Sequence, residues 1–401
     1  PEKTTEKTNA PKTGDNQKVW SFVLLALASA GTATGVTVYR RKKSKMTDNK
    51  EETEEKYAFF LPQFHSIKEN DEWWGEGFTE WVNVKKAKKL YENHVQPITP
   101  LDNNYYCLLD KNTVEWQTSL MKKYCIDGLI YYHYYFCGDL LLEKPAENLL
   151  KWKDIDQPFF FCWANHSWYR SWNGTKELLK QQTYGGQEDW EKHFQYLIKF
   201  FSDSRYIKVN NRPIFVIYNP DFIEKNDMVE FLNRRCIDYG FDGVYIVETI
   251  SDIHKFVNHS NDNPKLKSEY FFREPSLALS LLNDKRSFGE KVKRKLKRHF
   301  VKVFKNIKPD IFDADDLYTI MLKNESVYCN CIRGAFFSWD NTPRHANRGY
   351  VINEVSKEKF FEYMNSIKET DMLFINAWNE WCEGMILEPT INNKYKYLEW
   401  I

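Results

Sequence analysis

The sequence has no excess of charge of either sign: 57 Lys and Arg stand against 56 Asp and Glu in 401 residues. No global field therefore draws it to nucleic acid or to an acidic surface. No glycine-rich phosphate loop follows any of its apolar runs, which weighs against a nucleotide-binding Rossmann sheet. The eight cysteines, Cys107, Cys125, Cys137, Cys162, Cys236, Cys329, Cys331 and Cys382, have no repeating spacing. The close pair Cys329-Asn-Cys331 lacks the two-residue spacer and second pair of a zinc site, so the thiols read as free and structural, in a reducing compartment. A hydrophobic share of 42% with 28% charged residues excludes a mostly disordered chain and a multi-span membrane protein.

What the sequence has in quantity is aromatic rings: 14 Trp, 24 Tyr and 28 Phe, 16% of the chain. Many sit beside Asn, Asp and Glu. Trp next to carboxylates suits a site that stacks flat rings and hydrogen-bonds hydroxyls.

The first 56 residues differ from the rest. Residues 1–18, rich in Thr, Lys, Glu, Asn and Pro, read as a disordered tail. Residues 19–39 carry no charge and are long enough to span a bilayer. The basic run Arg40-Arg41-Lys42-Lys43-Ser44-Lys45 follows at once, which places residues 1–18 outside and the main domain on the cytoplasmic side. With the basic cluster after the apolar run, a secretory signal peptide is disfavoured. Ala10-Pro11-Lys12-Thr13-Gly14-Asp15, the apolar span and the basic stop resemble a sortase cell-wall sorting signal, although no Leu leads the motif and such signals normally end a protein. Two readings stand: an amino-terminal anchor, or a fusion whose true start is Met46, leaving a soluble cytoplasmic domain after the charged linker 40–56.

From residue 57 to 401, apolar-aromatic runs alternate with helical patterns. The expected strands are Tyr57–Phe64, Gly128–Phe136, Pro158–Asn165, Pro213–Asn219, Val244–Ile250, Glu269–Phe272, Gly334–Asp340 and Met372–Trp378. Helical periodicity covers Thr113–Tyr124, Glu188–Phe201, Met228–Tyr239 and Lys357–Ile367. Eight strands interleaved with helices imply an α/β fold, a (β/α)8 TIM-type barrel with long active-site loops, with a doubly wound open sheet as the alternative. Polar and aromatic residues gather where the strands end, as barrel active sites require. Lys285–Lys308 departs from this pattern. It holds eleven Lys or Arg and one acid, with Phe288, Val292, Leu296, Phe300 and Phe304 four apart. It reads as a basic amphipathic helix inserted in the barrel, either packed on it or meeting an anionic membrane or a phosphate-bearing substrate.

The strongest local signal is the run from Phe374 to Gly384, where a strand leads into Glu380 and Glu383 among Trp378, Asn379, Trp381 and Cys382. On a helical turn, residues three apart lie about 5–6 Å from each other at Cβ. That suits the roughly 5–5.5 Å carboxyl separation of retaining glycosidases. Two such carboxyls repel, so one keeps its proton near neutral pH. A second cluster, Asp71-Glu72-Trp73-Trp74-Gly75-Glu76-Gly77-Phe78-Thr79-Glu80-Trp81, alternates Trp with acids after the first strand, and Cys162-Trp163-Ala164-Asn165-His166-Ser167-Trp168 through Trp172 is similar after the third. These loops fit a sugar site or, alternatively, Trp-packed Ω-loops. His133 and His166 suit hydrogen bonding better than a metal, and no cofactor is implied.

Phe60-Leu61-Pro62-Gln63-Phe64-His65, Glu69–Gly75, Gly77–Trp81, Cys162–Asn165, Trp339-Asp340-Asn341-Thr342-Pro343-Arg344 and Asn376–Trp381 together resemble the WbsX-type proteins, described as glycosyltransferases of bacterial surface polysaccharide assembly and related to glycoside hydrolase family 99, the endo-α-mannosidases. The resemblance runs from about Tyr57 to the end. It implies a (β/α)8 barrel and a retaining mechanism in which Glu380 acts as base on a sugar 2-hydroxyl and Glu383 as acid/base at the glycosidic oxygen. The strand ends, the Trp-rich loops and these motifs together give the expected substrate-binding set: His65, Trp74, Glu76, Glu80, Trp81, Tyr132, His133, Tyr134, Trp163, Asn165, Trp168, Trp172, Glu274, Trp339, Asp340, Arg344, Asn379 and Trp381. Three departures stand out: Cys382 where the hydrolases have His, as in the WbsX branch, His166-Ser167 for the usual Glu-Asn, and Arg273-Glu274-Pro275 for an acid–Pro motif, the last two bearing on substrate identity.

Three functions follow as expectations. The first is a cytoplasmic glycosyltransferase acting on a glycan acceptor with a nucleotide-sugar or lipid-linked donor. The second is an endo-acting α-glycoside hydrolase using the same two glutamates. The third is a carbohydrate-binding barrel without catalysis, which would not need both carboxylates.

Overall fold

A computed structural model describes residues 54–172, 175–254, 268–303, 307–324, 331–367 and 370–401. The tail 1–18, the candidate span 19–39 and all but the last three residues of the linker 40–56 lie outside them. Among the described residues no helix is long and apolar enough to cross a membrane.

Eight parallel strands form the centre: β1 (Glu55–Phe60), β2 (Gly128–Phe136), β3 (Phe159–Trp163), β4 (Arg212–Ile217), β5 (Tyr245–Ile250), β6 (Glu269–Phe272), β7 (Arg333–Phe336) and β8 (Met372–Asn376). Each lies within an apolar-aromatic run expected to be a strand, or overlaps one. Neighbours in space follow chain order from β1 to β6, and β7, β8 and β1 adjoin in turn. Between β6 and β7 the ladder shrinks to one bridge, Phe271 with Ile332, where Ile332 N donates to Tyr270 O at 2.8 Å. That bridge closes the ring, and the sheet is a barrel rather than an open doubly wound sheet.

The β6–β7 seam is tight and short of strand partners. A Cβ on Gly334 would lie 2.9 Å from Phe272 O. Helix tyrosines take up the β7 backbone instead. Tyr318 Oη donates to Phe336 O at 2.6 Å and accepts from Phe336 N at 3.0 Å, and Tyr363 Oη donates to Gly334 O at 2.7 Å. Buried backbone groups thereby stay paired.

The helices are α1 (Lys68–Trp74), α2 (Glu80–Lys86), α3 (Lys111–Lys123), α4 (Lys144–Lys151), α5 (Gln187–Phe201), α6 (Lys225–Asp238), α7 (Ser276–Asp284), α8 (Phe288–Val303), α9 (Ala314–Lys323), α10 (Thr342–His345), α11 (Lys357–Ser366) and α12 (Lys396–Trp400). The four foreseen from periodicity are α3, α5, α6 and α11, within three residues at each end. Side-chain caps start three helices: Asp110 accepts from Asn112 N, Asp313 from Asp315 N and Ser356 from Lys359 N.

Some strands are shorter than the runs suggested. β1 stops at Phe60, ahead of Pro62, and β7 stops at Phe336. Trp339–Asp340 belongs to a separate small sheet with Asp310–Phe312 and Tyr350–Ile352. The barrel interior is filled by rings: Tyr57 on Phe160 at 5.1 Å, Phe271 on Phe374 at 5.0 Å and Phe59 on Phe374 at 6.1 Å between centroids. Much of the aromatic content is therefore core rather than site. Cys162, Cys236, Cys331 and Cys382 are buried, and Cys107, Cys125 and Cys137 are exposed.

The basic helix α8 does not pack its apolar stripe on the barrel. Phe288, Val292, Leu296 and Phe300 are exposed by 84, 39, 53 and 47%. It is held instead by Arg294 Nε and Lys297 Nζ on Asp310, at 3.0 and 2.9 Å.

Candidate active site

Beyond β8 the chain makes a tight hairpin. Asn379–Glu380 pairs antiparallel with Met385–Ile386 around a 3-10 turn, Trp381–Glu383. Gly384 closes it at φ 63°, where an added Cβ would also crowd Asp340 at 3.2 Å. The turn sends Glu380 and Glu383 into a cleft and Trp381 and Cys382 into the core.

Four donors meet under the hairpin on one buried carboxyl, Glu388: Tyr106 Oη and Gln117 Nε2 at 2.7 Å, Trp378 Nε1 at 2.9 Å and Trp381 Nε1 at 2.8 Å. Burial nevertheless pushes Glu388 up to about 7, against those four hydrogen bonds. Asn379 pins the hairpin to the end of β1, accepting from Leu61 N at 2.7 Å and donating to Leu61 O at 3.0 Å.

The cleft measures about 1290 Å³ and opens at the carboxyl-terminal ends of the strands. On one side, three carboxylates converge on a single guanidinium from the loop after β7. Arg344 Nη1 reaches Glu383 at 2.6 Å, and its Nη2 lies 3.1 Å from Glu80 and 3.6 Å from Glu380. Trp339 Nε1 adds a hydrogen bond to Glu383 at 3.0 Å. Burial, then the charges of Glu383 and Glu80, push Glu380 up to about 8, with Arg344 opposing. Glu380 Oε2 is buried and takes no hydrogen bond, which with that upward shift favours the neutral carboxyl.

Asp340 anchors the loop that carries Arg344. It accepts from Gln96 Nε2 at 2.7 Å, from Thr342 N at 3.0 Å and from His94 Nε2 at 2.8 Å. His94 Nδ1 already accepts from Leu90 N, which leaves Nε2 as the donor. Burial works against the Asp340 charge, but His94, Thr342 and Gln96 together hold its carboxyl below the ordinary value.

Of the residues expected in the site, the cleft gathers Trp74, Glu80, Tyr132, Tyr134, Trp168, Glu274, Trp339, Arg344, Glu380 and Glu383. Trp168 meets Tyr134 edge-on at 5.1 Å, and Trp74 stacks on Phe78 at 5.7 Å, forming an aromatic wall. Glu274 turns part of its carboxyl back to accept from Ala278 N in the first turn of α7.

Other expectations for the cleft do not hold. Strand alternation removes two of them. His133, between the inward Tyr132 and Tyr134, points out and meets His193 at 2.9 Å, and burial lowers it to about 3. Trp163 likewise points out and donates to Tyr135 O at 3.1 Å. Asn165 is a cross-link, donating to Asn219 O and accepting from Asn219 N. Asn379 and Asp340 are the anchors described above. Trp81, which donates to Tyr106 O, and Trp381 pack against each other at 5.2 Å in the core. His65 is buried outside the cleft, and its burial lowers its pKa. Glu76 is exposed between two glycines, away from the lining. The side chain of Trp172 lies outside the described residues. Cys382 donates to Glu80 O at 3.4 Å in a buried position that pushes its thiol well up, so it is no nucleophile.

The cleft also uses residues the sequence reading passed over: Gln63, Asn83, Tyr218, Arg273, His345, Arg348 and Asn376. Gln63 stood in a motif quoted for its resemblance, and Asn376 and Arg273 stood at strand ends. Tyr218 and Asn83 carried no signal beyond their position. Among the described residues no group of His, Cys, Asp or Glu is arranged to hold a metal ion.

A parallel eight-stranded barrel with acidic residues and Trp at its carboxyl-terminal rim belongs to the class of (β/α)8 barrels, whose active sites lie at that rim. The chain belongs to the Glycosyltransferase WbsX family, whose sequence profile matches residues 56–401. An uncharacterized protein named WxcX from Xanthomonas campestris pv. campestris strain B100 is 29% identical over 357 residues, covering 85% of this chain and 48% of its own length. The WxcX of strain ATCC 33913 gives the same figures. The chain thus spans about half the length of the curated relatives it matches. Among solved structures, a glycoside hydrolase-like protein shares the fold at 11% identity, with a TM-score of 0.53 over 89% of this chain and 95% of that one. An endo-alpha-mannosidase of family GH99 from Bacteroides thetaiotaomicron, in complex with bis-tris-propane, is 10% identical with a TM-score of 0.48, covering 84% and 88%.

Proposed function

We propose that this domain transfers a glycosyl unit with retention in the assembly of a bacterial surface polysaccharide, using Glu380 and Glu383 as its catalytic pair. The observation that carries the reading is the meeting of both carboxyls on the Arg344 guanidinium inside a Trp-walled cleft. In the free cleft burial and Glu383 favour the neutral form of Glu380, and Arg344 sits a full ångström closer to Glu383. Substrate that draws Arg344 away from Glu383 lets the proton pass from Glu380 to Glu383. Glu380 is then ionised and able to accept a proton from a sugar 2-hydroxyl, and Glu383 is protonated and able to donate to the leaving oxygen. Trp74, Trp168 and Trp339 supply faces for pyranose rings.

The reaction is placed at the cytoplasmic face. The basic run 40–45 supports that topology, and the lysine-rich, outward apolar stripe of α8 suits a surface of anionic lipid, from which a lipid-linked donor or acceptor would reach the cleft. A hydrolase using the same pair is the second reading, favoured by the lack of a glycine-rich phosphate loop in the sequence.

Incubation with a panel of nucleotide sugars and, separately, α-linked mannosides tests these readings. Release of nucleoside diphosphate that Glu380→Gln abolishes is the expected result. Release of reducing sugar from the mannosides instead would replace transfer with hydrolysis. Glycan binding with no turnover of either class would leave a binding module.

A further inference from the structure

The acidic half of the cleft is balanced by Arg344, but another arginine in it is not. Arg273 follows β6, its backbone fixed by donation from Arg273 N to Ile250 O at 2.9 Å. Its guanidinium carbon lies 4.2 Å from the centroid of the Tyr218 ring, and Tyr218 in turn faces His166 at 5.5 Å. Arg273 Nε and Nη1 are buried and have no hydrogen-bond acceptor, and the guanidinium makes no ion pair among the described residues. A half-buried cation whose Nε and Nη1 find no acceptor in the protein is costly unless something else neutralises it. The space is there: a side pocket of about 170 Å³, lined by His166, Tyr218, Asp221, Thr249, Ser251 and Arg273, adjoins the main cleft through His166, Tyr218 and Arg273.

We infer that Arg273, on its Tyr218 platform, is the recognition point for an oxyanion carried by the substrate, either the carboxylate of an acidic sugar or the phosphate of an activated donor. The inference rests on the proposed glycan-acting cleft and names what its substrate carries. A guanidinium offers two parallel N–H donors, which match a carboxylate or a phosphate and have no such match in a neutral hydroxyl. His166 is pushed down to about 4 by burial and then by Arg273, so it adds a neutral donor or acceptor rather than a second charge. Asp221 in the same pocket disfavours an anion placed against it, which directs the oxyanion to the Arg273 side.

The test titrates the full chain with glucuronic acid, inorganic pyrophosphate and neutral glucose, following the fluorescence of the cleft tryptophans. At least one anion is expected to bind ten times or more tighter than glucose. Arg273→Gln should remove that preference, bringing anion and glucose to equal affinity, and Arg273→Lys, which keeps the charge and loses the fork, should fall between. Preference for glucuronate identifies an acidic sugar, and preference for pyrophosphate an activated donor. Should Arg273→Gln fail to fold by circular dichroism, Arg273→Lys carries the comparison, and wild-type affinity in that variant overturns the inference. Equal binding of anion and glucose, or a preference that survives Arg273→Gln, also overturns it and leaves the glycan reading standing. Failure of glucose, its acid and longer neutral glycans alike to bind would remove the glycan reading as well.

Discussion

Single side chains set the chemistry here through their surroundings. Glu380 is displaced to about 8 and Glu388 to about 7, each above the ordinary 4.5 of a free carboxyl. Between pH 4.5 and 8 the folded chain therefore holds more protons than the unfolded one, and stability falls as pH rises through that window. Glu380→Gln removes one of the two groups responsible and fits a site where Oε2 has no donor. It should raise Tm at pH 8 by about 2–4 °C and change it little at pH 5, as a thermal melt at both pH values would read. The same variant should lose turnover, since a stabilised carboxamide cannot titrate. Arg344→Lys tests the fork itself: one ammonium cannot serve three carboxylates with fixed geometry, and kcat is expected to drop at least about tenfold with Glu80 left unpaired. Glu383→Gln should slow poor leaving groups far more than activated ones, with little change in substrate binding. A uniform loss on both would assign the donor role elsewhere.

At the scale of elements, much could be read from the chain before its structure. Eight strand runs and four helices are where apolar periodicity placed them, and the two glutamates meet because a helical turn after β8 spaces them by three. Which face a strand residue takes was harder to read. In Tyr132-His133-Tyr134 all three looked equally suited to a site, yet alternation sends the middle one out to His193. Asn165 and Asn379 looked like sugar ligands because of their neighbours, and each proves to tie one strand end to the next. Arg273 was quoted only as a departure from a motif, because an open guanidinium is visible only once its surroundings are known. Helix α8 was left between scaffold and membrane contact; its stripe points outward, with Lys291, Lys293 and Lys295 also exposed. Reversing Lys291 and Lys295 to Glu should weaken sedimentation with phosphatidylserine vesicles at least about tenfold and leave phosphatidylcholine controls unchanged. Equal binding by the variant would return the helix to a structural role.

Across the whole domain, the ring of strands is uneven. Most joints are ladders of several residues, while β6 and β7 share one bridge and borrow their remaining partners from Tyr318 and Tyr363. Tyr318→Phe would strand both polar groups of Phe336 in the core, and should cost about 1–3 kcal/mol in a denaturant titration. That joint also divides the cleft, since Glu274 and Arg273 stand on the β6 side while Arg344 and, through β8, Glu380 and Glu383 stand on the other. Loosening it by a fraction of an ångström changes the distance between the proposed anion grip and the acid pair without disturbing either one. Amides of Ile332 and Phe336, at the joint with the shortest ladder, should exchange with solvent ahead of those in β2 and β3, as a hydrogen-exchange time course would read.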